Sequence, residues 1–456
     1  MLKLIHLFKI NEINIIVDVN SGAVHCVDNI VYDILRLCDN KPPAKCPEKT
    51  LNTLAGEYSK DEILSAYDEI LDLCAMGMLY TDDEYEHIAA STEKKTVVKA
   101  LCLHVSHDCN MRCGYCFAGT GNFSGERCVM SAQTGKKAID FVIEKSASRK
   151  NIELDFFGGE PLMNFDVVKE LVYYAKEQEK KYDKNFRLTI TTNGVLLDEE
   201  KLNFINEHMY NLVLSIDGRK SVNDKMRKLV NGNGSYDVIM PKLKAAANSR
   251  NQDNYYVRGT FTRNNLDFCN DVLHLADCGF EQISIEPVVG GENEPYSIKK
   301  EDLPYIFGQY ERLAKEYVSR RADGRWFNFF HFMVDLEQGP CVIKRISGCG
   351  AGCEYLAVTP EGDIYPCHQF VGNKDFLMGN VYNNDFDGKS AQSFAKANIY
   401  TKEKCKGCWA KFYCSGGCHA NAYSFGKDIL TPYEIGCEME KKRIECALYI
   451  KAMESN

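Results

Sequence analysis

The sequence predicts an α/β protein in three parts: a small strand-and-helix module, a central sheet made by six strand–helix units, and a cysteine-rich C-terminal segment. Three observations predict it. Between residues 98 and 290 six short β-rich runs alternate with helical patterns, which calls for a parallel sheet. Residues 1–90 hold strands and helices of their own, and the end of the chain carries clustered cysteines among short turn-rich pieces such as VTPEGDIYPC. The chain has 456 residues, 45% apolar and 26% charged, an ordinary globular composition with length for about three domains.

In the first module LIHLFKI and INIIVDV are β-branched and alternating, and Asn20-Ser21-Gly22 makes a turn before AVHCV. Helices are expected near Val31–Leu37 and, after the Pro42-Pro43 loop, over Asp61–Met76. Ser59 serves as N-cap to the second, with Glu62 completing a capping box. Strands followed by helices at this size predict a winged-helix-like domain over 1–90. The polar stretch Asp82–Lys95 reads as a linker.

The central runs are ALCLHV, IELDFF, FRLTITT, NLVLSI, YVRGTF and QISIEP. Helical patterns separate them, among them Thr134–Lys145, Phe165–Lys180 and Glu199–Glu207. They predict a domain over 96–330, either doubly wound or curved into part of a barrel. Both forms gather ligands at the C-terminal ends of the strands. The last domain, 331–456, is expected to be held by metal centres rather than by apolar area.

A net charge of −9 argues against a nucleic-acid partner. No apolar run approaches the length of a membrane span, and the N-terminus lacks a small-residue cleavage site. A cytoplasmic location with no membrane partner is expected. In such a compartment 21 cysteines, an odd number, are a poor disulfide framework and read as metal or cluster ligands.

The first strand runs into SHDCNMRCGYCF, where Cys109, Cys113 and Cys116 are spaced C-x3-C-x2-C. Three thiolates in one tight loop can hold three irons of a [4Fe-4S] cube and leave the fourth open. A zinc site completed by His104 or His107, or buried free thiols, would use the same residues. Tyr115 precedes the last cysteine. Gly158-Gly159-Glu160-Pro161 follows the second strand, Thr192-Asn193-Gly194 the third and Ser215-Ile216-Asp217-Gly218 the fourth, while Arg258 lies on the fifth. Singly, Asn-Gly and Asp-Gly are strand-end turns. Their order along one series resembles the radical S-adenosylmethionine (radical SAM) superfamily. That resemblance implies a partial (β/α)6 radical SAM barrel with S-adenosyl-L-methionine on the open iron. The turn Gly158, Gly159, Glu160 and Pro161 would bind the methionine amino group. Tyr115, Thr192, Asn193, Ser215, Asp217 and Arg258 would contact the rest of the cofactor.

Downstream, Cys405, Cys408, Cys414 and Cys418 read C-x2-C-x5-C-x3-C, preceded by Cys349-x12-Gly362-x4-Cys367 and followed by Cys437. On the residues alone a zinc ribbon fits as well. The seven-cysteine pattern resembles the SPASM domain of peptide-modifying radical enzymes. It implies two auxiliary clusters, hence three [4Fe-4S] clusters in all. Cys405, Cys408, Cys414 and Cys437 would hold the outer one, and Cys349, Cys367 and Cys418 the inner one, with Cys341 or Cys353 as a possible fourth ligand. His368, beside Cys367, is either a structural neighbour of the cluster or a polar group facing substrate. The cysteines outside these patterns read as buried, with Cys128, soon after the cluster loop, set apart from them.

A strand-and-helix module beside a SPASM enzyme resembles the recognition element of ribosomal-peptide maturases, where a leader adds as a strand to a sheet edge. The whole chain most resembles the maturases of SCIFF peptides. The partners implied are a cysteine-rich precursor peptide with a leader and a reducing donor of flavodoxin or ferredoxin type. The reaction implied is a thioether crosslink between a cysteine sulfur and a peptide carbon. The radical comes from the cofactor, so no catalytic side chain is required. Two other readings stand beside it: a sulfatase-maturase-like oxidation of a protein side chain, and a non-enzymatic zinc-ribbon binding protein.

Overall fold

The computed structural model describes the chain except for residues 1–3, 39, 92–96, 292, 335, 337–341, 384 and 456. Its N-terminal module is a three-stranded antiparallel sheet, β1 (Ile5–Ile10), β2 (Ile13–Asp18) and β3 (Val24–Val27), in the order β1-β2-β3. Helices Asn29–Arg36, Glu48–Leu54 and Lys60–Ala75 follow. The first and third fall where the sequence predicts them, and the Ser59–Glu62 capping box is formed. The sheet is buried on both faces. Ile16 packs with Ile34, Ile63, Tyr67 and Ile70 in the module's own core, while Phe8, Ile10, Ile15 and Val17 join the main core of the protein. Asn20 and Asp18 close the module onto Thr81: Asn20 Nδ2 donates to the Thr81 carbonyl at 2.8 Å and Thr81 N–H to Asp18 Oδ2 at 3.0 Å.

The expected linker is docked along its first half. Asp83 accepts from Lys411 Nζ at 2.6 Å and from the Tyr400 hydroxyl at 2.8 Å, and Glu86, in the helix Glu86–Ser91, pairs with Lys406 at 2.6 Å. Lys411 is buried, so its charge needs that carboxylate. Residues 92–95 lie outside the described residues.

All six runs form strands: β4 (Ala100–Ser106), β6 (Asn151–Gly158), β7 (Asn185–Thr192), β8 (Asn211–Ser215), β10 (Tyr255–Phe261) and β11 (Gln282–Pro287). A short β5 (Met111–Cys113) and β9 (Arg227–Leu229) make a separate antiparallel pair, and β12 (Asn328–Phe329) extends the series. The predicted helices are Ala132–Lys145, Phe165–Tyr182 and Glu199–His208. From β4 to β12 the neighbours follow chain order and pair in parallel. A doubly wound sheet reverses its strand order at a switch point; this one does not. From β4 to β12 it is singly wound, the connectivity of a barrel, and among the described residues β12 pairs only with β11.

The boundary expected at residue 331 is crossed by the sheet itself. On the outer side of β4 lies β13 (Tyr355–Val358), parallel to it, followed by β14 (Asp363–Tyr365) and β15 (Gly379–Asn380), giving ten strands in the order β12-β11-β10-β8-β7-β6-β4-β13-β14-β15. Every residue of β4 is buried, as befits a strand covered on both faces and paired on both edges. The cysteine-rich segment also has apolar cores: Ala357, Tyr365, Phe370 and Phe394 pack in one, Ile346, Ile399 and Phe412 in another. Apolar burial therefore joins whatever metal holds there. The C-terminal helix Glu434–Ser455 packs along helix Leu303–Ala322 and touches β1, where His6 Nε2 meets Glu445 at 2.8 Å.

Candidate active site: three groups of cysteines around one barrel

The first cysteine loop leaves the C-terminal end of β4. Its path is fixed by close backbone contacts that only glycine permits. A Cβ on Gly159 would lie 2.3 Å from the Asp108 carbonyl, and one on Gly121, at φ +95°, would lie 2.6 Å from Cys109 Cβ. Gly159 N–H donates to Ser106 O at 2.8 Å and Glu160 N–H to Asp108 O at 3.0 Å. Arg112 Nη1 donates to the carbonyls of Cys109 and Met111, both at 2.6 Å. Cys113 is held opposite Arg227 by the β5–β9 pair.

Cys109, Cys113 and Cys116 are all half-buried. Burial pushes their thiols up, Cys109 to about 12 and Cys113 to about 11, the Arg227 charge pulling the latter partly back. Without a cation these thiols stay protonated, so binding must displace the protons. Among the described residues, the groups of three or more ligands within 4.8 Å of one another do not include these thiols or the downstream cysteines. Ligands of one tetrahedral zinc lie roughly 3.3–3.8 Å apart, whereas thiolates sharing a four-iron cube stand wider. The donor set fits iron–sulfur clusters better than a zinc ribbon.

Glu160 is 1% exposed. Its carboxylate accepts from Leu162 N–H at 3.0 Å, Thr192 Oγ1 at 2.7 Å and Asn193 N–H at 2.8 Å. Burial still raises it to about 7. Pro161 starts the single turn Pro161–Asn164. Asn193 Nδ2 reaches Asn110 Oδ1 at 2.8 Å and lies 3.7 Å from Cys109 Sγ, tying the third strand end to the cysteine loop. Gly159 commits its N–H internally; the turn's carbonyls and the Glu160 carboxylate are the acceptors an ammonium group requires.

On the opposite wall the Tyr115 hydroxyl bonds both oxygens of Asp217 at 2.8 Å and accepts from Arg227 Nη1 at 2.9 Å. Asp217 also takes Thr260 N–H at 3.1 Å, and burial raises it to about 6. Ser215 lies beside Arg258 across β8 and β10. Arg258 Nη2 donates to Glu286 at 2.8 Å, which holds that carboxyl below its usual range against its burial. His368 is half-buried, its Nδ1 3.0 Å from the Tyr355 hydroxyl, and desolvation lowers it to about 4. The Tyr355 contact gives the ring a structural partner on its Nδ1 side.

The downstream cysteines fall into two groups. Cys405, Cys408, Cys414 and Cys437 line one cavity of about 110 Å³, and each of the other three raises the Cys414 thiol electrostatically. Cys349, Cys367 and Cys418 form the second group: the charges of Cys418 and Cys349 both act on Cys367, which is pushed up to about 12, mainly by burial. Cys353 is buried, with Sγ 3.1 Å from the Ala391 carbonyl. Cys341 lies outside the described residues. Between the groups sits Lys402, 1% exposed, with Nζ donating to Gly416 O at 2.7 Å and its charge facing Cys405, Cys414, Cys418 and Cys349.

Of the remaining cysteines, Cys46, Cys102, Cys269 and Cys446 are buried as expected, whereas Cys26 is exposed on β3. Sequence reasoning missed Arg227, Glu286 and Lys402. Arg227 and Lys402 carry no motif, and what marks them is burial of a cation, visible only once the chain is folded. Glu286 stands at the end of a predicted strand, where a conspicuous acid could have been noted.

The sequence profile of the Radical SAM superfamily matches residues 103–268, and that of the SPASM iron–sulfur cluster-binding domain matches residues 349–409. An uncharacterized protein of Methanocaldococcus jannaschii is 33% identical over 320 residues, 69% of this chain and 96% of that one. A cysteine-type anaerobic sulfatase-maturating enzyme of Clostridium novyi is 25% identical over 334 residues, 69% of this chain and 86% of the enzyme. Among solved structures, Streptococcus suis SuiB bound to precursor peptide SuiA superposes with a TM-score of 0.54 at 18% identity, covering 95% of this chain and 98% of SuiB. Among the described residues no helix is long and apolar enough to cross a membrane.

Proposed function

Because this chain belongs to the radical SAM superfamily and carries its SPASM cluster-binding domain, we propose that it is a peptide maturase that closes a thioether between a cysteine sulfur and a carbon of a cysteine-rich precursor. The observation that carries this reading is the N-terminal module. The similarity to the sulfatase-maturating enzyme covers 69% of the chain. The fold shared with SuiB covers 95% of it, and SuiB is a protein that binds a precursor peptide. Among the described residues β3 pairs only with β2, leaving an open edge where an extended leader can add a strand.

Cys109, Cys113 and Cys116 would hold the first [4Fe-4S] cluster, Cys405, Cys408, Cys414 and Cys437 the outer auxiliary one, and Cys349, Cys367 and Cys418 the inner one. When bound, these groups with S-adenosyl-L-methionine supply a carbon-centred radical that takes a hydrogen atom and an acceptor for one surplus electron. The balance closes: a C–H and an S–H bond break, one C–S bond forms, and the peptide loses a hydrogen atom, a proton and an electron. The chain's own residues bind and orient. Gly158, Gly159 and Glu160 offer acceptors to the methionine ammonium. Asn193 fixes the loop at Cys109. The Tyr115–Asp217–Arg227 group sets the wall beside Ser215, and Arg258 with Glu286 lines the fifth and sixth strands. An external reductant of flavodoxin or ferredoxin type would deliver the first electron.

A second reading, oxidation of a side chain in a sulfatase-maturase-like reaction, is favoured by the Clostridium novyi similarity. Co-expression with a cysteine-rich precursor, followed by mass spectrometry after thiol alkylation, separates them. A loss of two hydrogens with one cysteine made unreactive for each pair lost supports the crosslink. A mass change that fragmentation confines to a single residue, with no second residue linked to it, overturns it in favour of oxidation.

A further inference from the structure

We propose that His107, Cys128 and Glu361 form a zinc site, separate from the iron–sulfur clusters, that fastens the neck of the first cysteine loop to the C-terminal domain. Among the described residues this is the one group of three or more potential ligands whose ligand atoms all lie within 4.8 Å of one another. Cys128 Sγ is already 3.0 Å from Glu361 Oε1. That compactness suits a single ion, since tetrahedral zinc ligands stand roughly 3.3–3.8 Å apart.

The ligand types choose the metal. An imidazole, a thiolate and a carboxylate together are too soft for magnesium or calcium and are a familiar combination around zinc. Three protein ligands leave a fourth position for water. His107 Nε2 is engaged by His104 Nδ1 at 3.2 Å, which leaves Nδ1 as the metal-binding nitrogen. Zinc-binding histidines ordinarily bond through their second nitrogen in this way, and that bond fixes the ring. His104 is fully buried beside Phe123 and Phe157, so it is a rigid partner.

The placement supplies the purpose. His107 and Cys128 stand at the two ends of the loop that carries Cys109, Cys113 and Cys116. They are already joined: His107 N–H donates to the Cys128 carbonyl at 2.8 Å, and Arg127 pairs with Asp108 beside them. Glu361 comes from the turn between β13 and β14, where Gly362 takes φ +91°. One ion on these three ligands closes the loop's neck and pins it to the hairpin that continues the barrel sheet. Binding releases the Cys128 proton to solvent.

The test uses the full chain with its iron–sulfur clusters loaded, dialysed anaerobically against zinc and then against buffer, with iron and zinc counted per chain. One zinc is expected above the full iron complement. Cys128→Ala should lose it, and Glu361→Gln, at an exposed turn, should weaken zinc binding by about tenfold or more, both with iron unchanged. Cobalt(II) in place of zinc should give a thiolate charge-transfer band in wild type and none in Cys128→Ala. Fully iron-loaded wild type that retains no zinc, or zinc retained equally by wild type and both variants, overturns the proposal.

Discussion

Tyr115 and Arg227, far apart in sequence, share one hydroxyl: Arg227 Nη1 donates to it at 2.9 Å while it bonds the Asp217 carboxylate at 2.8 Å. Arg227 thus places a cation against a buried acid beside the cysteine loop, at 3.9 Å from Asp217. Arg227→Met should destabilise the protein by about 3–5 kcal/mol, because it strands that carboxylate. Tyr115→Phe should cost less, about 1–3 kcal/mol, since Asp217 keeps Thr260 N–H and the Arg227 charge. Anaerobic thermal melts compare the two; an equal or reversed order would show that the charge pair is not what holds the wall.

Gly159→Ala should empty the first cluster while sparing the others. The added methyl would sit 2.3 Å from the Asp108 carbonyl and 3.0 Å from that of Gly121, both backbone atoms of the cysteine loop, so the loop has to move. Iron should fall by about four per chain, with cleavage of S-adenosylmethionine abolished. Iron analysis with electron paramagnetic resonance of the reduced protein reads it, and a full iron count would contradict the packing argument.

His331 should make stability fall in mild acid. Burial and the neighbouring Arg443 charge, whose Nη1 lies 3.0 Å from its Nδ1, lower it from 6.5 to about 3. The unfolded chain therefore takes up the proton first as pH falls. The stability due to the neutral imidazole is full above 6.5 and is lost between 6.5 and about 3. Going from about pH 7.5 to about pH 5.5, wild type should lose about 1 kcal/mol more than His331→Gln. Parallel pH curves for the two proteins would refute the assignment.

Leader recognition is better tested at the strand edge than by removing the module. Phe8, Ile10, Ile15 and Val17 belong to the main core, so deleting residues 1–90 would expose the barrel's flank. Cys26→Lys places a charge on the exposed edge strand, a device that blocks strand addition. A synthetic leader should bind about tenfold more weakly, roughly 1.4 kcal/mol, with S-adenosylmethionine cleavage unchanged. Unaltered affinity in a binding titration would move recognition away from β3.

The six strands, their helices and the Ser59 cap were legible because alternation and capping chemistry act within a few residues. Two strand pairings were not. β5 with β9, and β13 with β4, join segments whose partners are set by tertiary register, and MRC, RKL and YLAV are too short to show a period. The cysteine loop and the downstream cysteine run were visible as spacings, while their division into separate sets came from the family resemblance and not from the spacing itself. Lys402 and Arg227 were hidden because a lone cation in sequence carries no sign of its burial. The docked stretch at Asp83 was misjudged for a related reason: polarity in sequence does not distinguish a solvated tether from one whose charges find partners.

The pairing of β13 with β4 carries a practical consequence for dissecting this enzyme. A chain cut after Phe332 would leave the long hydrophobic strand ALCLHVS with one bare flank of main-chain donors and acceptors, inviting a second molecule to pair there. Such a fragment should precipitate or associate edge to edge whether or not iron is supplied. Failure to rebuild the first cluster in it would report on an unprotected β-edge, not on any need of that cluster for its auxiliary neighbours.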